Sequence, residues 1–159
     1  MKVAVLATDG VEQAELDRPW QALEEADAQP ELVSLKAGDI TAHEHIDEGE
    51  TEKVDDLIRA DADAVALRKA LFDAGKPVAA ICHAPWVLAE ADVVRGRRMT
   101  SWPSLQTDLR NAGADWVDEE VVVDGNLVTS RKPDDLDAFS AAIVEQFAAA
   151  DQDEDDAEE

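Results

Sequence analysis

Residues 2–7 open the chain with a short apolar run that stops at Thr8-Asp9-Gly10. Apolar positions then recur at three- and four-residue spacing through Ala14, Leu16, Trp20, Leu23 and Ala26. This pattern predicts a strand, a turn and a helix. Glu31-Leu32-Val33-Ser34-Leu35 reads as a second strand closed by Lys36-Ala37-Gly38-Asp39. Between Thr41 and Asp61 no four consecutive residues are apolar, so no buried strand is expected there. From Ala62 onward, Val65, Leu67 and Leu71-Phe72 share one helical face, and Gly75 stands where a left-handed residue ends a helix.

Lys76-Pro77 leads into the solid apolar run Val78-Ala79-Ala80-Ile81, which predicts a central parallel strand covered by helices on both faces. A short helix is expected over Trp86 to Ala91, and another from Ser104 to Ala112, ended by Gly113. Val121-Val122-Val123 and Leu127-Val128-Thr129-Ser130 flank Asp124-Gly125, a strong hairpin signal. Pro133-Asp134-Asp135 opens a last helix with Leu136, Phe139, Ile143, Val144 and Phe147 as its apolar stripe and Asp134 as N-cap. Strands alternating with helices predict a three-layer α/β/α fold around a doubly wound, mostly parallel sheet with a C-terminal hairpin.

Charge changes this picture at one end. The 159 residues hold 38 Asp and Glu against 14 Lys and Arg, a net charge of -24, yet 45% are hydrophobic. Too much is apolar for an acidic disordered chain, so the charge must coat a packed core. Residues 1–150 are expected to form one domain. The nine residues from Asp151 carry seven acids and are expected to be a disordered tail. Such acidity excludes nucleic acid and anionic membrane as partners, because both repel it. With six lysines and frequent alanine, the composition resembles that of a high-salt proteome, in which dense counterions screen self-repulsion. One cysteine excludes an internal disulfide, and the opening residues form no secretory leader, so a cytoplasmic location is expected. His43-Glu44-His45 with Asp47 lacks strong ligand spacing, so no metal is expected.

Parallel α/β sheets carry their sites at the carboxyl ends of strands. Two such ends hold reactive groups: Glu12 and Glu15 after the first strand, and Cys82-His83 after Ile81. A cysteine that ends an apolar strand and begins a helix sits on a sharp turn, where helix amides favour thiolate over thiol. His83, next in sequence, can serve as base if the turn brings its ring to the sulfur; otherwise it is a histidine packed beside the turn. Glu12 and Glu15 lie on one side of a helix start. There a carboxyl group can orient the base or bond the sulfur, or simply complement the helix dipole in solvent. Arg131 can meet a substrate carboxylate or a structural acid.

These segments carry a resemblance. Ala80-Ile81-Cys82-His83-Ala84-Pro85, Gly10-Val11-Glu12-Gln13-Ala14-Glu15-Leu16, Thr100-Ser101-Trp102-Pro103, the stretch from Asn111 to Asp118, and Val121 to Asn126 with Thr129-Ser130-Arg131 resemble the PfpI-type intracellular protease family. That family lies in the parkinsonism-associated deglycase superfamily, whose flavodoxin-like sheet is similar to that of class I glutamine amidotransferases. The resemblance implies Cys82 as nucleophile, His83 as its neighbour, Glu15 as the acid at the sulfur and Glu12 as the supporting acid. It also implies a small carbonyl or peptide substrate, no cofactor, and a homo-oligomer, either dimer or hexamer.

The chain also departs from the family pattern. Relatives carry a further apolar strand and a Pro-Gly-Gly loop before the helix that begins here near Ala62, and this chain has neither. The missing strand would lie between strand one and the Cys82 strand, and its loop would supply an oxyanion donor. The elbow amide at His83 would be the donor that remains. Loss of one such donor slows catalysis by about a hundredfold to a thousandfold. Two functions are therefore compared: a cysteine hydrolase of the PfpI type, weakened by that loss, and a non-catalytic stress, redox-sensing or interaction protein that retains the elbow.

Overall fold

The computed structural model describes residues 1–44 and 57–157. Its strands are β1 (Lys2–Leu6), β2 (Gln29–Val33), β3 (Val78–Ile81), β4 (Arg98–Met99), β5 (Asp115–Trp116), β6 (Val121–Asp124) and β7 (Leu127–Ser130). The longer helices are α1 (Gln13–Glu25), α2 (Ala62–Asp73), α3 (Pro85–Glu90), α4 (Gln106–Asn111) and α5 (Leu136–Ala157). Asp61 caps α2, its side chain accepting from the Ala64 amide at 2.9 Å. Gly75 and Gly113 end helical segments at φ +71° and +96°, where a side chain would be strained.

Two apolar layers cover the strands. On one face α1 and α5 enclose Val3, Leu23, Val128, Leu136, Phe139 and Ile143. On the other, α2, α3 and α4 enclose a core that includes Leu88, Met99, Leu105, Leu109 and Leu127. The expected helix–sheet–helix layering is therefore present. Asp124 and Leu127 close the β6–β7 hairpin, and Gly125 in its loop has φ +60°, as the Asp-Gly signal predicts.

Hydrogen bonding among the described residues divides the strands into three groups. β1 pairs in parallel with β2, from Lys2 opposite Gln29 to Leu6 opposite Val33. β3 runs parallel to β7, which is antiparallel to β6, and β4 pairs with β5. Among the described residues β3 is thus bonded along one edge only. Residues of β1 and β3 both line a cavity of about 530 Å³. The break falls between strand one and the Cys82 strand. Most of the stretch from Thr41 to Asp61 lies outside the described residues, His45, Asp47 and Val54 included. Within it, His43 makes a parallel bridge to Glu12, and residues 57–60 are helical.

Two expectations are corrected. Residues from Asp151 to Ala157 continue α5 as helix, where a disordered tail was expected. Once the Phe139 and Ile143 turns are packed, extension needs no new nucleation. Asp134 does not cap the last helix. It lies inside a 3₁₀ turn (Pro133–Asp135) that precedes α5, paired with Lys132 at 3.0 Å. Among the described residues no helix is long and apolar enough to cross a membrane.

Candidate active site

β3 ends at Ile81, and Cys82 turns the chain with φ +60°, a left-handed conformation that costs a non-glycine residue roughly 1–2 kcal/mol. The surroundings hold it there from three directions. The Cys82 N–H donates to the Ser130 carbonyl at the end of β7 (3.1 Å), and the Cys82 carbonyl accepts from the Trp102 N–H (2.8 Å). The Ala84 N–H closes the turn on the Ile81 carbonyl (3.0 Å). α3 begins at Pro85, a residue pre-set for a helix start. Strand, strained cysteine and helix together form a nucleophile elbow.

This turn brings neighbouring side chains to one point. Cys82 Sγ lies 3.3 Å from His83 Nδ1, a convergence that regular strand or helix would forbid. The imidazole is 1% exposed and stacked on Trp102, with ring centroids 5.8 Å apart and 26° between planes. A ring held this way can take a proton from the thiol without reorienting. Cys82 itself is 6% exposed, so its sulfur reacts with what enters the fold rather than with bulk solvent.

Glu15 sits in the first turn of α1, and Glu12 immediately precedes that helix. Both line a cavity of about 100 Å³ whose far wall includes Ile81 and Ala84, the residues flanking Cys82-His83. One Glu15 carboxyl oxygen is shut off from solvent. Glu12 and Glu15 thus border a cavity beside the end of β1, and Cys82 and His83 follow the end of β3. Asp9 supports the same loop: its carboxyl pairs with Lys36 and accepts from the Thr41 N–H at 2.8 Å. First the Lys36 ammonium and then that amide hold the Asp9 carboxyl below its ordinary pKa.

Arg131 takes the structural alternative. Its Nε and Nη2 grip Asp135 at 2.8 and 3.0 Å, and Nη1 reaches Asp118 at 2.7 Å. These carboxylates, Asp135 first, push the guanidinium pKa further above its ordinary value. Three residues with roles here were not assigned any from the sequence: Trp102, Ser130 and Arg68. Trp102 follows β4 and Ser130 ends β7, so their proximity to the end of β3 required knowing which strands are neighbours. Arg68 on α2 lines both cavities and donates to the Ala84 carbonyl at 3.4 Å.

Residues 52–146 match the model of the DJ-1/PfpI family. The chain belongs to that family. A deglycase of Thermococcus kodakarensis is 38% identical over 162 residues, covering 91% of this chain and 98% of its own. Protein/nucleic acid deglycase 2 of Escherichia coli is 38% identical, with 93% and 98% covered. A Bacillus subtilis protein named as a candidate cysteine protease is 40% identical, with 87% and 94% covered. Because 91% of 159 residues is about 145, the 162-position alignment to the Thermococcus protein leaves about 17 positions that this chain does not fill. Among solved structures, a two-domain Anabaena variabilis protein with DJ-1/ThiJ/PfpI-like and ferritin-like domains superposes with TM-score 0.85 at 31% identity. It covers 93% of this chain, which spans half of that one. Drosophila melanogaster DJ-1beta superposes with TM-score 0.78 at 25% identity, covering 92% and 90%. These neighbours share the flavodoxin-like α/β fold of this DJ-1/PfpI chain, and relatives named deglycase or cysteine protease place hydrolase chemistry within the family.

Proposed function

We propose that this DJ-1/PfpI protein is a cysteine-dependent hydrolase that attacks a small carbonyl compound or a peptide bond. The observation that carries the reading is a strained Cys82 whose sulfur lies 3.3 Å from His83 Nδ1 at the start of a helix. The sulfur gives its proton to Nδ1, and the thiolate bonds to the carbonyl carbon as the C=O pair moves onto oxygen. For an acyl substrate the adduct expels an amine that takes the proton back from His83. Water then hydrolyses the thioester. Glu15, with Glu12 in support, orients the reacting groups from the α1 side. No cofactor enters this scheme. A homo-oligomer acting in the cytoplasm accords with the family resemblance, and slow turnover accords with the missing oxyanion loop.

Methylglyoxal consumption, release of glycated adducts from a model peptide, and casein hydrolysis measured on wild type and Cys82→Ala test the reading. Loss of at least one activity by more than a hundredfold is expected in the variant. Equal rates in all three reject catalysis by Cys82. The 6% exposure of Cys82 favours a second reading, a non-catalytic stress or interaction protein. Alkylation kinetics against pH separate the two: an apparent thiol pKa near the free value, about 8.5, would support the second.

A further inference from the structure

The half-buried Trp102 touches both members of the Cys82–His83 pair, by different groups. Its N–H donates to the Cys82 carbonyl at 2.8 Å, and its ring stacks on the imidazole. What fixes Trp102 therefore bears on the pair. Pro103 follows it and confines its backbone to an extended, polyproline-like conformation, φ -51° and ψ 134°. The Trp102 carbonyl accepts from the Leu105 N–H at 3.1 Å and from the Ser101 hydroxyl at 2.9 Å. That hydroxyl in turn accepts from Trp116 Nε1–H at 2.9 Å. An indole N–H can only donate, so it takes an oxygen lone pair and leaves the Ser101 proton to point at Trp102. The chain Trp116–Ser101–Trp102 thus has one polarity, and Ser101 within it is fully buried. Its far end is anchored on a strand pair. β5 sets Trp116 opposite Met99 of β4, and the Val117 N–H donates to the Met99 carbonyl at 2.9 Å. The Arg110 guanidinium lies over the Trp116 ring, 5.5 Å from its centre.

We propose that Trp116 and Ser101 are positioning residues for the Cys82–His83 pair, acting through Trp102 to keep His83 Nδ1 in reach of the sulfur. The proposal rests on the hydrolase reading, in which that pair exchanges a proton. Stacking alone holds the plane of the imidazole but permits sliding along it, whereas hydrogen bonds at both ends of Trp102 fix where its own ring lies. A misplacement of about 1 Å in a reacting pair can cost about a hundredfold in rate. A merely structural bond would satisfy the buried indole N–H and end there. This one continues through Ser101 to the residue that meets both reacting groups.

The test uses the full chain. Trp116→Phe keeps a ring and removes the N–H, and Ser101→Ala removes both hydrogen bonds with a single oxygen atom. Ile143→Ala, a core truncation in the opposite apolar layer, is the control for general loosening. Glu12, Glu15 and Arg68, the charged groups at the cavity beside the elbow, stay in place in every variant. Alkylation of Cys82 by iodoacetamide against pH gives the apparent thiol pKa. Imidazole nitrogen NMR shifts, assigned with His83→Gln, report on the His83 ring. In the wild type a thiol pKa below the free value of about 8.5 is expected. Trp116→Phe and Ser101→Ala should raise it enough to slow alkylation at pH 7 about tenfold, and should displace the His83 signals. Ile143→Ala should lower Tm and leave both readouts alone. Should Trp116→Phe fail to fold, Ser101→Ala decides. A lower Tm with the thiol pKa and the His83 signals unchanged overturns the proposal, and so does an equal change in Ile143→Ala. A wild-type thiol pKa near the free value overturns the hydrolase reading instead. In that case displaced His83 signals in Ser101→Ala still support the positioning role, and undisturbed ones overturn it as well.

Discussion

β7 and β1 are both short strands of an α/β protein, yet they differ in what surrounds them. All four residues of β7 are buried, with β3 on one edge, β6 on the other and helices over both faces. In β1 only Val3 is buried, Lys2 and Ala4 are exposed, and β2 is its one strand partner among the described residues. β2 has no buried residue and leaves Leu32 40% exposed. The difference shows that burial of a strand depends less on its own apolarity than on whether its neighbours are present. It also assigns most of the stabilising apolar burial to residues 78–147, with the N-terminal β1–α1–β2 unit the weaker part.

Truncation tests this contrast most strongly. Leu109 is fully buried on α4, and its change to alanine should cost about 3 kcal/mol of stability, whereas Leu32→Ala should stay within about 0.5 kcal/mol. Denaturant titration at fixed salt measures both, and similar losses would break the comparison. Next in size, Arg131→Ala leaves the nearly buried Asp135 carboxylate without its clamp and should cost about 2 kcal/mol. Arg131→Lys should recover only part of this, since the two-pronged grip on Asp135 is lost.

A smaller effect is global. Raising salt from about 0.1 M to 1 M shortens the screening length from about 10 Å to 3 Å, so Tm should rise for a chain of charge -24. A flat or falling Tm would count against salt-screened self-repulsion. The smallest effect is expected at Asp9. Its pKa is depressed in the fold, so its contribution is present above the ordinary value of 3.8 and lost as pH falls through the depressed one. Asp9→Asn should lower Tm slightly at pH 7, by an amount that vanishes once the pH falls below the depressed pKa. A difference that persisted there would mean that shape, not charge, holds the loop.

Much of the candidate site was legible because its signals are local. The run Val78 to Ile81 followed by Cys82-His83-Ala84-Pro85 encodes strand, elbow and helix in one stretch. Glu12 and Glu15 were visible as acids at a helix start. Trp102 was not, because its ring reaches His83 only after β4 and β3 are placed in space. The helix over residues 151–157 was missed for another reason: composition reported charge, while the packed stripe upstream decided that the helix continues. The two-residue strands β4 and β5 are too short for any periodicity to reveal.

What the order of residues determined alone was most of the longer elements, their turns and the residue types at the end of β3, since these depend on side-chain periodicity and backbone preference over a few neighbours. Only the tertiary structure decided that β3 pairs with β7, that β1 and β3 border one cavity, and that Arg131 serves Asp135 and Asp118. Those outcomes depend on which distant segments meet. A strand carries the same donors and acceptors whether or not a partner lies beside it.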